Sequence, residues 1–435
     1  MRGVIRFIKK LIRAILPSEE AVNYCWHLPI QIAIALRYGL PGHHIKVIGI
    51  AGTKGKTSTA HFISQLLEST GEKTALYSTT TIKIGNVERL NDLKMTTPSR
   101  TFLQRFLRDA LKAHCTHAVI EVSSHGLKQF RLWGIPFAVA VLTNMTPDHL
   151  DYHKTAQDYT MSHMRMIGNR TRAVIVNGDD ENLKPFAGMR RRIFTFGKNA
   201  YNIFKIQNIQ PNAQSGMTFE IEYYGHRTAY TVPYIGEYNA YNTAAALATL
   251  YGLEIDIDSL RDAVSNLAPA PGRMEYILCD KGFDIIVDYA HSPESFEKLF
   301  QAITPALQGN LIAVTGACGD RDATVRPDMG RLLAKYCQYV VITNDDPYTE
   351  DPEKIMQGLI SGLTTNNKQQ TTKLIENVSW FQIPDRRKAI RKGIELARKG
   401  DTVLVLGKGA EQWQVFKDKK IPWDDRKIVQ EILNK

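Results

Sequence analysis

Residues 48–60 read Ile-Gly-Ile-Ala-Gly-Thr-Lys-Gly-Lys-Thr-Ser-Thr-Ala, an apolar run feeding a glycine-rich loop that ends in Gly-Lys-Thr. In such a loop, opening a helix, the glycines let backbone N–H groups approach phosphate oxygens. Lys56 can then reach the terminal phosphates, the Thr57 hydroxyl can ligate Mg²⁺, and the helix N-terminus adds a favourable dipole. The chemistry implied is the cradling of a triphosphate. The strict P-loop spacing is not met, because Ile50 stands five positions before Gly55 and the earlier glycine is Gly52. Further chemistry lies where later apolar runs end. Glu121 follows Ala118-Val-Ile120, and Asn144-Met-Thr-Pro-Asp-His-Leu-Asp-Tyr-His153 follows the run from Ala138 to Leu142. Open α/β sheets place ligands at such strand ends. Glu121 as a hard oxygen ligand, and His149 less conventionally, are therefore candidates to hold Mg²⁺ against the terminal phosphate. His125 and His153 have no comparable support and read as structural.

The elements that must position these groups alternate. A strand from Ile45 to Ile50, a helix to about Ser69 stopped by Gly71, and strands at Thr74–Tyr77, Ala118–Val122 and Ala138–Leu142 predict a parallel sheet with helices on both faces. Short strands and turns fill residues 172–234, and Tyr238 to Leu253 reads as an Ala-rich helix. The stretch Leu267-Ala-Pro-Ala-Pro-Gly-Arg273 has the composition of a linker. Beyond it Ile285–Val287, Leu311–Val314, Tyr339–Thr343 and Thr402–Leu406 are buried-strand candidates. The expected fold class is α/β: a central parallel-sheet domain carrying the phosphate loop (residues 41–268) and a Rossmann-like α/β domain (residues 269–435), preceded by a helical segment (residues 1–40).

The 435 residues, 43% of them apolar, support two or three ordinary domains. Five cysteines without a Cys-x-x-Cys pair indicate neither a disulfide framework nor a zinc knuckle, which fits a reducing cytoplasm. The net charge of +11 suits anionic substrates or an acidic membrane surface, and no basic tract with interleaved aromatics points to nucleic acid. Within residues 1–16, Val4, Ile5, Ile8, Leu11, Ile12, Ile15 and Leu16 gather on one side of a helical wheel, and Arg2, Arg6, Lys9, Lys10 and Arg13 on the other. Such a basic amphipathic helix suits either peripheral contact with the inner face of a membrane or docking on protein, but it is too charged to span a bilayer. Ala21 to Leu40 reads as helices packed on the body of the protein.

These residues resemble the Mur ligases, and among them the MurE group, which adds the third amino acid to the muramyl peptide of peptidoglycan. The resemblance runs from Ile45 to the C-terminus. Gly52–Thr57 is the family's phosphate loop, Glu-Val-Ser-Ser-His-Gly-Leu through Arg131 is the most specific match, and Asn144–His153 follows. Further matches are Tyr238–Asn242, Pro271–Glu275, Val287–Pro293, Gly319–Asp322 and Ile421–Arg426. The resemblance implies that Gly52, Thr53, Lys54, Gly55, Lys56, Thr57 and Ser58 hold ATP phosphates. It also implies Asn242 at the adenine, and Arg273 and Asp288 near the ribose and phosphates. Thr57, Glu121 and His149 would serve Mg²⁺, with Lys56, Glu121 and His149 as the catalytic set. Thr96, Thr97, Ser123 and Arg131 would grip the muramyl-peptide acceptor, and Asp345, Asp346, Pro347, Tyr348, Gly407 and Glu411 the incoming amino acid. The implied reaction activates the acceptor carboxylate as an acyl phosphate, which the amine then displaces.

The chain departs from that pattern in several places. MurE-type enzymes usually begin with a domain for the uridine nucleotide, whereas few residues precede Ile45 here. This leaves open a UDP-linked acceptor held differently, a lipid-linked acceptor, or a partner protein replacing the domain. His163 stands where the family has a carbamylated lysine, making it a weak candidate for a second metal site. Tyr348 replaces the arginine that clamps the distal carboxylate of diaminopimelate, and Ala410 replaces a histidine, so an amine-bearing side chain such as that of lysine or ornithine fits. Val325 stands where a basic residue is common. A degenerate ATP-binding scaffold and a folylpolyglutamate-synthase-like ligase are the alternative readings. The latter's signatures differ from the Glu121–Leu127 motif.

Overall fold

The computed structural model describes residues 18–434, excepting residues 94, 147–149, 154, 188, 190–191, 213–215, 366–373 and 418 and the side chains of 150, 151 and 187. The amphipathic segment 1–16 and His149 therefore lie outside the described residues. The chain forms two compact units, one made of residues 1–210, 218–233 and 238–268, the other of 211–217, 234–237 and 269–435.

The first unit is built on an eleven-stranded sheet. Its strands are β1 (Lys46–Ala51), β2 (Thr74–Tyr77), β3 (Thr81–Ile84), β4 (Val87–Leu90), β5 (His117–Glu121), β6 (Phe137–Leu142), β7 (Ala173–Asn177), β8 (Ile193–Gly197), β9 (Phe204–Pro211), β10 (Met217–Tyr223) and β11 (His226–Val232), in the spatial order β11-β10-β9-β8-β7-β6-β1-β5-β2-β3-β4. Strand β1 is apolar on both faces because parallel neighbours and helices cover it, and all its residues after Lys46 are buried. It pairs in parallel with β5 and β6, with Ile50 opposite Glu121 and Ala51 opposite Leu142. The residues that follow these three strands thus emerge side by side at the C-terminal ends of the central strands. The sequence reading placed the three central strands within a residue or two, but gave no sign of the antiparallel extension β2-β3-β4.

Helices of this unit include α1 (Leu28–Arg37), α2 (Lys56–Ser69), α3 (Arg100–Lys112), α4 (Ser124–Lys128), α5 (Ala156–Ser162) and α6 (Glu237–Gly252). Helix α2 ends as expected before Gly71, whose φ of +86° suits a residue without Cβ. Helix α1 packs on the body, with Gln31 and Ala35 buried and the Gln31 amide donating to Trp133 O at 2.9 Å. Most of α6 is buried, consistent with its small residues.

The second unit has a six-stranded sheet of β12 (Glu275–Ile277), β13 (Asp284–Asp288), β14 (Leu311–Thr315), β15 (Tyr339–Ile342), β16 (Trp380–Gln382) and β17 (Thr402–Leu406), ordered β12-β13-β17-β14-β15-β16, and a hairpin of β18 (Trp413–Phe416) and β19 (Lys419–Pro422). Only β12 runs antiparallel in the larger sheet. Ion pairing at zero exposure joins helices α7 (Arg386–Leu396) and α8 (Asp425–Leu433), the Arg386 guanidinium donating to both Asp425 oxygens at 2.9 and 2.6 Å. Asp425 raises the guanidinium pKa despite burial.

The two units divide within the stretch 267–273, between Ala268 and Pro269. Leu267 and Ala270 are buried, and a Cβ on Gly272 (φ +65°) would lie 2.1 Å from Ala410 N. On the first-unit side Ala268 N donates to Gln65 Oε1 at 2.7 Å, and on the second-unit side Gly272 packs backbone on backbone.

Candidate active site

In the first unit the loop between β1 and α2 is clasped by the residue pair that follows β6. Asn144 O accepts from Thr53 N at 2.9 Å, its side-chain oxygen accepts from Lys54 N at 2.9 Å, and its amide donates to Lys54 O at 2.8 Å. Thr143 Oγ1 donates to Lys54 O at 2.7 Å, and a Cβ on Gly52 (φ +141°) would sit 2.1 Å from that hydroxyl. Gly52 is therefore required by both conformation and space. Thr53 Oγ1 donates to Thr146 O at 2.6 Å and lies 3.1 Å from the Tyr159 hydroxyl of α5. Gly55 caps α2 at φ +80°. Lys56 Nζ donates to Gly52 O at 2.6 Å and Thr53 O at 3.0 Å, so the ammonium lies over the loop. Lys56, Thr57 and Ser58 open the helix, whose first amides and dipole suit an anion. Asn242 sits beneath this loop, its Oδ1 accepting from Thr59 Oγ1 at 3.4 Å and lying 2.6 Å from where a Gly55 Cβ would be.

Glu121, at the end of β5, has zero exposure, and its oxygens accept from Thr79 N at 2.9 Å and Thr79 Oγ1 at 2.8 Å. Both partners are neutral, so a buried negative charge lies one strand from the phosphate loop, a setting that suits a cation. Thr79 was not singled out from sequence, since its role depends on a contact 42 residues away. Among the described residues no group of three or more His, Cys, Asp or Glu could hold a metal. His163 is buried, and burial lowers its pKa to about 4. Its Nδ1 lies 2.9 Å from Tyr159 O, so the neutral ring donates there and leaves Nε2 as the acceptor.

The four expected acceptor residues come together. Thr96 Oγ1 lies 3.3 Å from Thr79 Oγ1, Thr97 Oγ1 accepts from Ser123 N at 2.8 Å and Ser123 Oγ at 3.0 Å, and Arg131 Nη1 donates to Thr97 O at 2.9 Å. Gln129, not singled out from sequence, accepts from Arg131 Nε and Nη2 at 3.0 and 2.7 Å. His153 is fully buried with Nε2 2.8 Å from Ser124 Oγ, and His125 stacks on Tyr152.

The remaining residues belong to the second unit. Arg273 lies 4.3 Å from the Tyr289 ring centre, and Asp288 accepts from Met274 N and Ala290 N, each at 2.7 Å. Desolvation raises the Asp288 pKa, opposed by Arg273. Lys408, absent from the sequence-based set although it lies between Gly407 and Glu411, is buried with its ammonium 3.3 Å from Asp345, 2.8 Å from Asp346 and 3.0 Å from Glu411. Asp345 Oδ2 is buried and unpaired, 2.5 Å from where a Gly407 Cβ would stand. Pro347 O lies 2.0 Å from the position of a Cβ on Gly319, and Tyr348 adopts φ +49° with its amide donating to Val415 O at 3.3 Å. Arg326 is taken by Glu350 at 2.6 and 2.7 Å.

The family profile of the Mur ligase middle domain matches residues 50–250, and that of the Mur ligase glutamate ligase domain residues 272–409. The UDP-N-acetylmuramoyl-L-alanyl-D-glutamate–2,6-diaminopimelate ligase of Aquifex aeolicus is 36% identical over 398 residues, 91% of this chain and 79% of that protein. Its counterpart in Halalkalibacterium halodurans is 34% identical over 402 residues, 91% and 80% of the two chains. A solved structure of such a diaminopimelate ligase superposes with a TM-score of 0.64 at 30% identity, covering 90% of this chain and 78% of that one. The folylpolyglutamate synthase of Mycobacterium tuberculosis superposes at 0.68 with 17% identity, covering 87% and 91%, a likeness of fold alone.

Proposed function

The chain belongs to the Mur ligase family, and from that premise we propose that it is an ATP-dependent, ADP-forming ligase that joins a diamino acid to a muramyl peptide in peptidoglycan precursor synthesis. The observation that carries this reading is the clasped loop at the end of β1 with the buried Glu121 carboxylate at the end of neighbouring β5. Loop amides, Lys56 and the start of α2 bind the triphosphate, and Thr57 and Glu121 are the residues that would hold Mg²⁺, joined by His149 from outside the described residues. Magnesium, when bound, supplies charge neutralisation on the phosphates.

The acceptor carboxylate attacks the terminal phosphorus and ADP leaves, giving an acyl phosphate. The amine of the incoming amino acid then attacks the acyl carbon, and phosphate departs with the C–O electron pair. Lys56 neutralises charge on the transferred group, while Thr96, Thr97, Ser123 and Arg131 hold the acceptor so that its carboxylate is in line. This reading also assigns to the nucleotide Asn242 of the first unit and, in the second, Arg273 and Asp288. Asp345, Asp346 and Glu411 outnumber Lys408 in charge, so a cationic side chain is favoured beside them. A diamino acid, the class to which the relatives' diaminopimelate belongs, satisfies that preference. Residues 1–16 would give the cytoplasmic enzyme peripheral contact with the inner face of the membrane, where a lipid-linked acceptor is as accessible as a UDP-linked one.

The test is phosphate release from ATP and Mg²⁺ with UDP-linked or lipid-linked muramyl dipeptide, screened over diaminopimelate, lysine and ornithine. Release that requires both acceptor and one diamino acid, with the tripeptide seen by mass spectrometry, is the expected result. ATP binding without turnover for every pair would instead support a scaffold.

A further inference from the structure

Two guanidinium groups meet on Gln129. Arg131 donates to its side-chain oxygen, and Arg100, the first residue of α3, donates from Nη2 to its backbone oxygen at 3.0 Å. Among the described residues neither arginine has a carboxylate partner. Arg100 Nε is buried with nothing to donate to. Burial and the Arg131 charge lower the Arg100 pKa to about 10, and burial lowers that of Arg131. The position of Arg100 adds to the cost, because a cation at a helix N-terminus opposes the helix dipole. Two like charges and a positive helix end, gathered half-buried without a counter-ion, are unfavourable alone and favourable around an anion. Thr97, three residues before Arg100, ties this cluster to Ser123 and Arg131.

The relatives' name gives an acceptor ending in D-glutamate. Such an end carries two carboxylates: one is consumed in the new bond, and the other is free to be held throughout. We propose that Arg100, acting with Arg131, grips the carboxylate that does not react and so selects acceptors with a doubly acidic end. Resting on the ligase reading above, this adds Arg100 as a positioning and specificity-determining residue. Planar guanidinium donors suit a carboxylate, and of the Arg100 nitrogens only Nη2 has a described acceptor.

The test is calorimetric binding of N-acetylmuramoyl-L-alanyl-D-glutamate, and of its D-isoglutamine and D-glutamine analogues, to the full chain and to Arg100→Ala and Arg100→Lys. Arg100→Ala is expected to weaken the glutamate acceptor by roughly tenfold or more, and to leave unchanged the analogue whose non-reacting carboxylate is amidated. Arg100→Lys should recover part of the loss by charge alone. Equal affinity of Arg100→Ala and wild type for the glutamate acceptor would overturn the inference while leaving the ligase reading intact, as would an equal loss for all three compounds. A wild-type chain that binds none of them would overturn both.

Discussion

At the scale of single residues, the site depends on charges placed where water is scarce. Lys56 bridges the phosphate loop through Gly52 O and Thr53 O, and in the proposed reaction its ammonium neutralises charge on the transferred group. Lys56→Ala is expected to lower ADP formation by at least about a hundredfold while the circular dichroism spectrum stays native. Lys408 is held by three acidic groups, and Lys408→Met would leave buried carboxylates without their cation. Breaking a buried pair on one side costs about 3–5 kcal/mol, so urea unfolding should show the second unit melting early. The sequence made Lys56 and Glu121 legible because each lies in a motif at a strand end, and Thr97, Ser123 and Arg131 through the resemblance to the Mur ligases. It concealed Thr79, Gln129 and Arg100, which matter through contacts made only after folding. Lys408 stood inside a matched motif, yet its burial among acids was invisible in one dimension.

Among the elements, β5 both delivers Glu121 and begins at a buried histidine. Burial, then Lys46, lowers the His117 pKa, with Glu72 opposing, so the folded chain disfavours its protonation. Above the ordinary value of 6.5 both folded and unfolded chains carry the neutral ring, and its contribution to stability is complete. As pH falls below 6.5 the unfolded chain takes up a proton first, and stability is lost until pH passes the lowered folded value. His117→Gln should flatten that part of a plot of unfolding free energy against pH. Within the second unit, Gly272 lies against the backbone of Gly409 and Ala410. Gly272→Ala, at φ +65° and with its Cβ 2.1 Å from Ala410 N, should cost more than about 1 kcal/mol, seen as a lowered unfolding midpoint.

For the whole molecule, alternating apolar runs and turns specified both α/β sheets, because buried parallel strands need continuous apolar stretches whichever neighbours they acquire. Strand order was not legible, since pairing partners are distant in sequence. The excess of positive charge and the amphipathic pattern of residues 1–16 lead to a prediction at this scale. The full chain should co-sediment with anionic vesicles at low salt, and a chain lacking residues 1–16 should remain in the supernatant. Equal sedimentation of the two would remove the membrane contact.

The clasp around the phosphate loop also sets a schedule for biosynthesis. The loop is among the first parts of the sheet to leave the ribosome, yet it is held by Thr143 and Asn144 and underlain by Asn242, which bonds Thr59 across a separation of 183 residues. At about 5–20 residues per second, that separation is roughly 10–40 s of translation. For about the first half of that interval the nascent chain lacks Thr143 and Asn144 as well, and for the rest it lacks the bond from Thr59 to Asn242. The loop's shape is thus a property of the completed first unit rather than of the motif alone.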